Sequence, residues 1–200
     1  MSVQFRLALL ALCSLAAASD PSCEDLLKPL EDRSRVSGKW IFYAGASDNE
    51  ELMKTLRIIK NSWIDLSLIP DSDNLTVRWG DKIDGKCHYG GVNSSFSGNY
   101  TRVTFTFNAT DHEHVGKHLV TCPDCILWTD TTATLGNAEN TSGRNFYLFT
   151  KAGKLDDTDL EFVKKQAACL NFPPEFHFGD NTDLCPDDTV AATDVKGEEQ

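Results

Sequence analysis

Two short stretches carry side chains whose types and spacing could do chemistry. In Asp111-His112-Glu113-His114-Val115-Gly116-Lys117-His118, three imidazoles and two carboxylates make a donor set of the kind zinc accepts. The spacing matches no standard zinc site and H-E-x-x-H is absent, so these histidines read as ordinary exposed side chains of a hairpin and no metal is expected. Cys122-Pro123-Asp124-Cys125 has the spacing of a redox pair. A catalytic pair of that kind sits at a helix N-terminus, where the dipole lowers the thiol pKa. Here Ile126-Leu127-Trp128 reads as a strand, so a structural disulfide or small clip is expected. No G-x-S-x-G, phosphate-binding loop or dinucleotide fingerprint occurs, and no cofactor is implied. Acids outnumber bases 30 to 19, for a formal charge of −11. That argues against nucleic acid as the main partner, since phosphate binding needs clustered Lys and Arg. The acidity fits a solvated surface, or an attraction for cationic ligands through carboxylates and tryptophan faces.

The elements that must position these residues are mostly strands. The length of 200 residues suits one domain or at most two small ones, and a 40% hydrophobic share excludes a wholly disordered chain. Lys39 to Ala46, Ser62 to Ile69, Leu75/Val77/Trp79, Val103/Phe105/Phe107, Ile126 to Trp128 and Phe146 to Phe149 read as strands. Turn clusters separate them at Pro70-Asp71-Ser72-Asp73, Ile83-Asp84-Gly85, Ser97-Gly98-Asn99 and Asn140-Thr141-Ser142-Gly143. Two helices interrupt the pattern. Asn49 to Ile59 puts Leu52, Leu56 and Ile59 on one face; Asp157 to Leu170 takes Asp157 as its N-cap and stops at Phe172-Pro173-Pro174. About eight strands followed by one late helix fit an all-β closed antiparallel barrel with that helix packed outside.

Met1 to Ser19 reads as a secretory signal peptide: Arg6, an apolar run from Leu7 to Ala18, then small residues. The run is too short to span a bilayer, and with no second long apolar run the mature chain is expected to be extracellular, with its domain at 20–185 and a disordered acidic tail at 186–200. Losing Arg6 takes the formal charge from −11 to −12, and losing Cys13 leaves six cysteines, an even number that implies disulfides. Spacing alone leaves fifteen connectivities open. Five glycosylation sequons, at Asn74, Asn93, Asn99, Asn108 and Asn140, fit the same route and must face solvent if used.

Gly38-Lys39-Trp40 resembles the G-x-W element that opens the first strand of a lipocalin. In that family the tryptophan closes the floor of an eight-stranded up-and-down barrel, and a barrel of this size encloses one small ligand. Together with Asn49-Glu50-Glu51 and Lys54, the element is similar to the orosomucoid group, as is the layout of Cys23, Cys87, Cys169 and Cys185. That resemblance implies disulfides Cys23–Cys169 and Cys87–Cys185. Thr121-Cys122-Pro123-Asp124-Cys125 looks like the T-C-x-D-C element of the orosomucoid-like fish group, the saxitoxin- and tetrodotoxin-binding and tributyltin-binding proteins. The pufferfish members look like two fused modules, and this chain has one. The late lipocalin strand normally carries an arginine that stacks on the floor tryptophan; here it reads Phe146-Tyr147-Leu148-Phe149-Thr150-Lys151, with no such arginine.

The resemblance implies a secreted, monomeric, non-enzymatic carrier of a small hydrophobic or cationic xenobiotic or toxin. Expected wall residues are Phe42, Ile64, Leu66, Phe105, Trp128, Tyr147 and Phe149, with Trp40 as floor and Leu56 covering the mouth. Period two places Ile64, Leu66 and Leu68 inward and Asp65 outward. The orosomucoid pattern suggests an inward Arg102, whereas local alternation turns Val103, Phe105 and Phe107 inward instead. Two other readings stay open: an acute-phase, immunomodulatory glycoprotein that acts through its glycans, and a redox or isomerase enzyme using Cys122 and Cys125.

Overall fold

The computed structural model describes residues 20–107, 110–135 and 142–187. The expected leader, the sequons at Asn108 and Asn140, and the tail beyond Asp187 lie outside those residues. Along the chain come α1 (Cys23–Leu26), a 3-10 turn (Arg33–Val36), β1 (Gly38–Ser47), α2 (Glu50–Ile58), β2 (Asn61–Leu68), β3 (Asn74–Ile83) and β4 (Lys86–Ser97). They are followed by β5 (Tyr100–Phe107), β6 (Thr110–Leu119), β7 (Cys125–Thr134), β8 (Ser142–Thr150), α3 (Asp157–Cys169) and β9 (His177–Phe178).

Strands β2 to β8 pair antiparallel with their chain neighbours, as short turns dictate. Between β3 and β4 the turn residues Asp84 and Gly85 both have positive φ, 48° and 76°, which is the two-residue hairpin geometry matched to strand twist. Closure falls to β1. Its first half, Gly38–Ile41, pairs with β2, and its second half, Ile41–Ser47, pairs with β8. An irregularity at Tyr43 lets the strand bend between the two, and β9 takes the edge that β2 vacates, opposite Ala44 and Gly45. The region read from sequence as an exposed histidine hairpin is instead one continuous strand, β6, hydrogen-bonded on both sides.

The outer face of β6, β7 and β8 carries Leu119, Leu127, Phe146 and Leu148, and α3 covers them with Val163 and Ala167. Asp156, not Asp157, caps that helix, its side chain accepting from the Asp159 amide. Gln166 is fully buried under α3 yet satisfied. Its Nε2 donates to the Leu26 and Val120 carbonyls at 2.7 and 2.8 Å, and its Oε1 accepts from the Thr121 hydroxyl at 3.0 Å. Each such bond contributes about 1 kcal/mol net, and losing a partner would cost more. Three disulfides form among the described residues: Cys23–Cys169, Cys87–Cys185 and Cys122–Cys125. The last spans the turn before β7 and is buried in the α3 core, so it is neither at a helix start nor exposed.

The C-terminal segment crosses the outside of β2 to β4. Cys185 fixes it to β4, the Trp63 indole N–H donates to the Cys185 carbonyl at 2.9 Å, and the Tyr89 hydroxyl donates to the Pro186 carbonyl at 3.1 Å. Lys39 and Lys82 add ion pairs to Asp187 and Asp183.

Beyond Ser95 the β4–β5 ladder is lost: the paired residues are Ser95–Ser97 with Tyr100–Arg102. The Trp79 indole lies across this gap, edge-on to Phe105 at 5.4 Å and directly over Gly90. A Cβ at Gly90 would sit 2.1 Å from the indole, whereas one at Gly91, on the other face, would meet nothing nearer than 3.6 Å. Gly90→Ala is therefore expected to lower stability by roughly 1–3 kcal/mol through overpacking. Gly91→Ala should stay within about 0.5 kcal/mol of the parent. Urea unfolding followed by circular dichroism checks both.

Candidate ligand-binding site

Alternation along eight strands gives the barrel one wet and one enclosed face, and the enclosed face lines a cavity of about 400 Å³. Its apolar wall comes from Ile64 and Leu66 on β2, Leu75, Val77 and Trp79 on β3, Val103 and Phe105 on β5, Ile126 and Trp128 on β7, and Tyr147 and Phe149 on β8. At the mouth, α2 turns Leu52, Thr55 and Leu56 inward, with Ile59 just beyond it. Asn49 caps α2 by accepting from the Glu51 and Leu52 amides, which fixes the helix angle over the opening.

Seven of the nine expected binding residues line the cavity: Leu56, Ile64, Leu66, Phe105, Trp128, Tyr147 and Phe149. Trp40 lies beneath it, in the apolar cluster with Val36, Leu66, Leu75, Ile126 and Phe149, its indole N–H donating to the Val36 carbonyl at 2.7 Å. The missing arginine is replaced by Lys151, whose ammonium stands 3.6 Å from the centre of the Trp40 ring. Phe42 does not line the cavity but is buried in the same interior cluster as Trp40, Leu56 and Phe149. Its ring fills the wedge where β2 leaves β1, edge-on to Phe149 at 5.7 Å and stacked on His177 at 6.1 Å. The bend in β1 and the arrival of β9 create that wedge, and neither shows in local sequence. Asp65 faces outward, as alternation requires, and Arg102 is exposed and paired with Glu113 while Val103 lines the cavity. The side chain of Phe107 lies outside the described residues. Asn74, Asn93 and Asn99 are all exposed.

The cavity is more polar than the sequence suggests. His112, His114 and His118 all point into the cavity, together with Thr101 and Thr132. Alternation along β6 would have shown this, but here the inward set is polar and the outward set includes Val115 and Leu119, so a search for apolar periodicity misses it. Asp130 enters the same wall from β7 with its side chain wholly buried. It accepts from Asn145 Nδ2 at 2.7 Å and lies 3.0 Å from His114 Nδ1. Gly116 makes room: a Cβ there would come within 2.6 Å of the Asp130 Cβ. Across the barrel Asp81 also lines the cavity. Burial holds its carboxyl above the usual range, opposed by a hydrogen bond from Ser62 and by nearby His88.

The rings form a continuous series from Trp79 through Phe105, His114 and Trp128 to Tyr147. His118 and Tyr147 stack on either side of Trp128 at 6.4 and 5.8 Å. Trp128 Nε1 is buried with no hydrogen-bond partner among the described residues. Burial, and then the Asp130 charge, push the Tyr147 hydroxyl well above its ordinary value, so it remains a donor. Burial also pushes the His118 imidazole down to about 4, leaving it neutral. Among the described residues no three His, Cys, Asp or Glu side chains converge as metal ligands, and no helix is long and apolar enough to cross a membrane.

An eight-stranded antiparallel barrel with a late outer helix and a floor tryptophan defines the lipocalin fold, and solved structures agree. A siderocalin, Ex-FABP, matches with a TM-score of 0.60 at 14% identity, over 78% of this chain and 97% of that one. A dog lipocalin allergen matches at 0.60 and 16%, over 76% and 99%. The odorant binding protein OBP1 matches at 0.58 and 14%, over 72% and 90%. In sequence the chain is distantly similar to alpha-1-acid glycoprotein (orosomucoid) of Bos taurus, 29% identical over 141 residues, which are 66% of this chain and 68% of that protein. No family model matches.

Partly enclosed His118 should leave a mark on acid stability. Its folded value of about 4 lies below the ordinary 6.5. Between those values the unfolded chain takes up a proton that the folded chain refuses, so stability falls as pH falls from about 6.5 and the loss is complete below about 4. The loss from this group reaches at most about 3.4 kcal/mol. Denaturant unfolding at pH 7 and pH 4.5 should show a smaller acid loss in His118→Gln than in the parent.

Proposed function

We propose that this chain is an exported carrier that holds a small, mostly apolar molecule bearing a positive charge inside its barrel, by binding and without chemistry. One observation carries the reading: a cavity of about 400 Å³ walled by aliphatic and aromatic side chains holds a carboxyl group, Asp81, with Ser62 as a side-chain donor. Apolar walls supply area, and a few polar groups set orientation. A cation entering this space meets a carboxylate and aromatic faces, both more effective once water is excluded. The overall negative charge draws such ligands toward the barrel.

The resemblance of Thr121-Cys122-Pro123-Asp124-Cys125 to the fish toxin- and tributyltin-binding group supports tributyltin or guanidinium toxins as cargo. Three disulfides among the described residues and the leader-like first nineteen residues support an oxidising, extracellular setting, in which the chain acts as a monomer. The buried, disulfide-bonded state of Cys122 and Cys125 disfavours a redox enzyme. Exposure of Asn74, Asn93 and Asn99 favours a second role through attached glycans. Enzymatic removal of the glycans separates the two, since cavity binding should survive it.

Trp79 and Trp128 line the cavity, so cargo should change tryptophan emission. Titration with tributyltin, with a guanidinium toxin and with a neutral lipophile of similar size tests the reading. Asp81→Asn should weaken the cations roughly tenfold, a change of about 1.4 kcal/mol, and leave the neutral probe within about twofold. No emission change with any of the three would remove the carrier reading.

A further inference from the structure

A second polar feature of the cavity has a different chemistry. His114 lies in the wall with Nδ1 turned to the protein: Asp130 Oδ2 and Thr132 Oγ1 each lie 3.0 Å from it. Asn145 fixes both of those groups, its Nδ2 donating to Asp130 Oδ1 at 2.7 Å and to Thr132 Oγ1 at 2.6 Å. Asn145 is itself buried, and Thr132 completes the ring by donating toward Asp130 Oδ1 at 3.4 Å. A carboxylate accepts and does not donate, so the proton of a neutral His114 belongs on Nδ1 and the lone pair on Nε2. An imidazole held this way by a neighbouring carboxylate is fixed in tautomer and in ring angle. Its ring lines the cavity, packed between Phe105 at 5.2 Å and Trp128 at 6.0 Å. The Asp130 oxygens are already taken up by protein donors, so this carboxylate serves the histidine and not the cargo.

We propose that His114 is a hydrogen-bond-accepting subsite of the cavity, aligned by Asp130, Thr132 and Asn145, that selects cargo carrying an N–H or O–H group on an apolar aromatic body. The inference rests on the carrier reading but does not need a charged ligand. Discrimination follows from burial: a ligand without the donor leaves an accepting nitrogen unpaired in a water-poor site, and that costs more than the bond contributes.

Two measurements on the disulfide-bonded chain test it. Long-range nitrogen–proton NMR of the ligand-free protein reads the tautomer, and the Nδ1–H form is expected for His114. Binding of 1-naphthol and of 1-methoxynaphthalene, which lacks the hydroxyl proton, is then compared at pH 7.5 in the parent and in His114→Phe. The preference for 1-naphthol should be about fivefold larger in the parent than in the variant, as one hydrogen bond predicts. Taking the ratio within each protein cancels intrinsic differences between the probes. An Nε2–H tautomer, or an equal ratio in both proteins, overturns this assignment and leaves the carrier reading standing. Absence of binding by both probes to the parent overturns the carrier reading and this assignment together. The parent's tautomer is read without any variant, so poor folding of His114→Phe does not rescue the proposal.

Discussion

The structure depends on one strand being hydrogen-bonded to two partners that lie at opposite ends of the sheet. Strands β2 to β8 would otherwise form an open, twisted sheet with two unpaired edges and one large exposed apolar face. Strand β1 removes both edges by giving its first half to β2 and its second half to β8. That division requires a bend near Tyr43, and the bend in turn leaves a wedge that Phe42, His177 and β9 fill. Closure also converts a two-faced sheet into an inside and an outside. The inside holds a cavity; the outside is covered by α3 over β6 to β8 and by the C-terminal segment over β2 to β4.

The covering elements are fastened at points where packing alone would be thin. The C-terminal segment has few apolar side chains, and it is held by Cys87–Cys185, by hydrogen bonds from Trp63 and Tyr89, and by ion pairs. Exposed ion pairs of this kind contribute little, so the disulfide and the buried indole bond carry most of the attachment. At the floor, Lys151 supplies a cation over Trp40, where the lipocalin pattern has an arginine. A lysine offers a point charge without the planar fork, so it can sit on the ring but cannot stack on it.

The cavity is more polar than an all-apolar cup, and its polar groups are of two kinds. Asp130, Thr132 and Asn145 satisfy one another and position His114; they are wall structure. Asp81 and the tautomer-fixed imidazole retain capacity toward a guest. This division follows from burial: a polar atom enclosed without a partner is costly, so those that persist at a cavity surface are the ones a ligand or water can reach.

Sequence alone determined the parts that rest on local periodicity and composition. Alternation placed Ile64, Leu66, Val103 and Phe105 inward and Asp65 and Arg102 outward, because a strand has period two whatever it pairs with. Leu52, Leu56 and Ile59 on one face marked α2, and the stretch from Asp157 to Leu170 before Phe172-Pro173-Pro174 marked α3, with its cap displaced by one residue. Gly38-Lys39-Trp40 and the six cysteines carried the resemblance that gave the barrel and its pairings. Tertiary structure decided the rest. Which face of β6 looks inward depends on pairing with β5 and β7, and a polar inward face gives no apolar signal, so His112, His114 and His118 were assigned to the surface. Asp81 became a cavity group, Asp130 a buried partner of His114, Phe42 a member of the interior cluster with Trp40, Leu56 and Phe149, and Lys151 reached Trp40 through contacts that close only when β1 joins both ends of the sheet. Those contacts are non-local, and a period-two pattern names two faces without saying which of them will be enclosed.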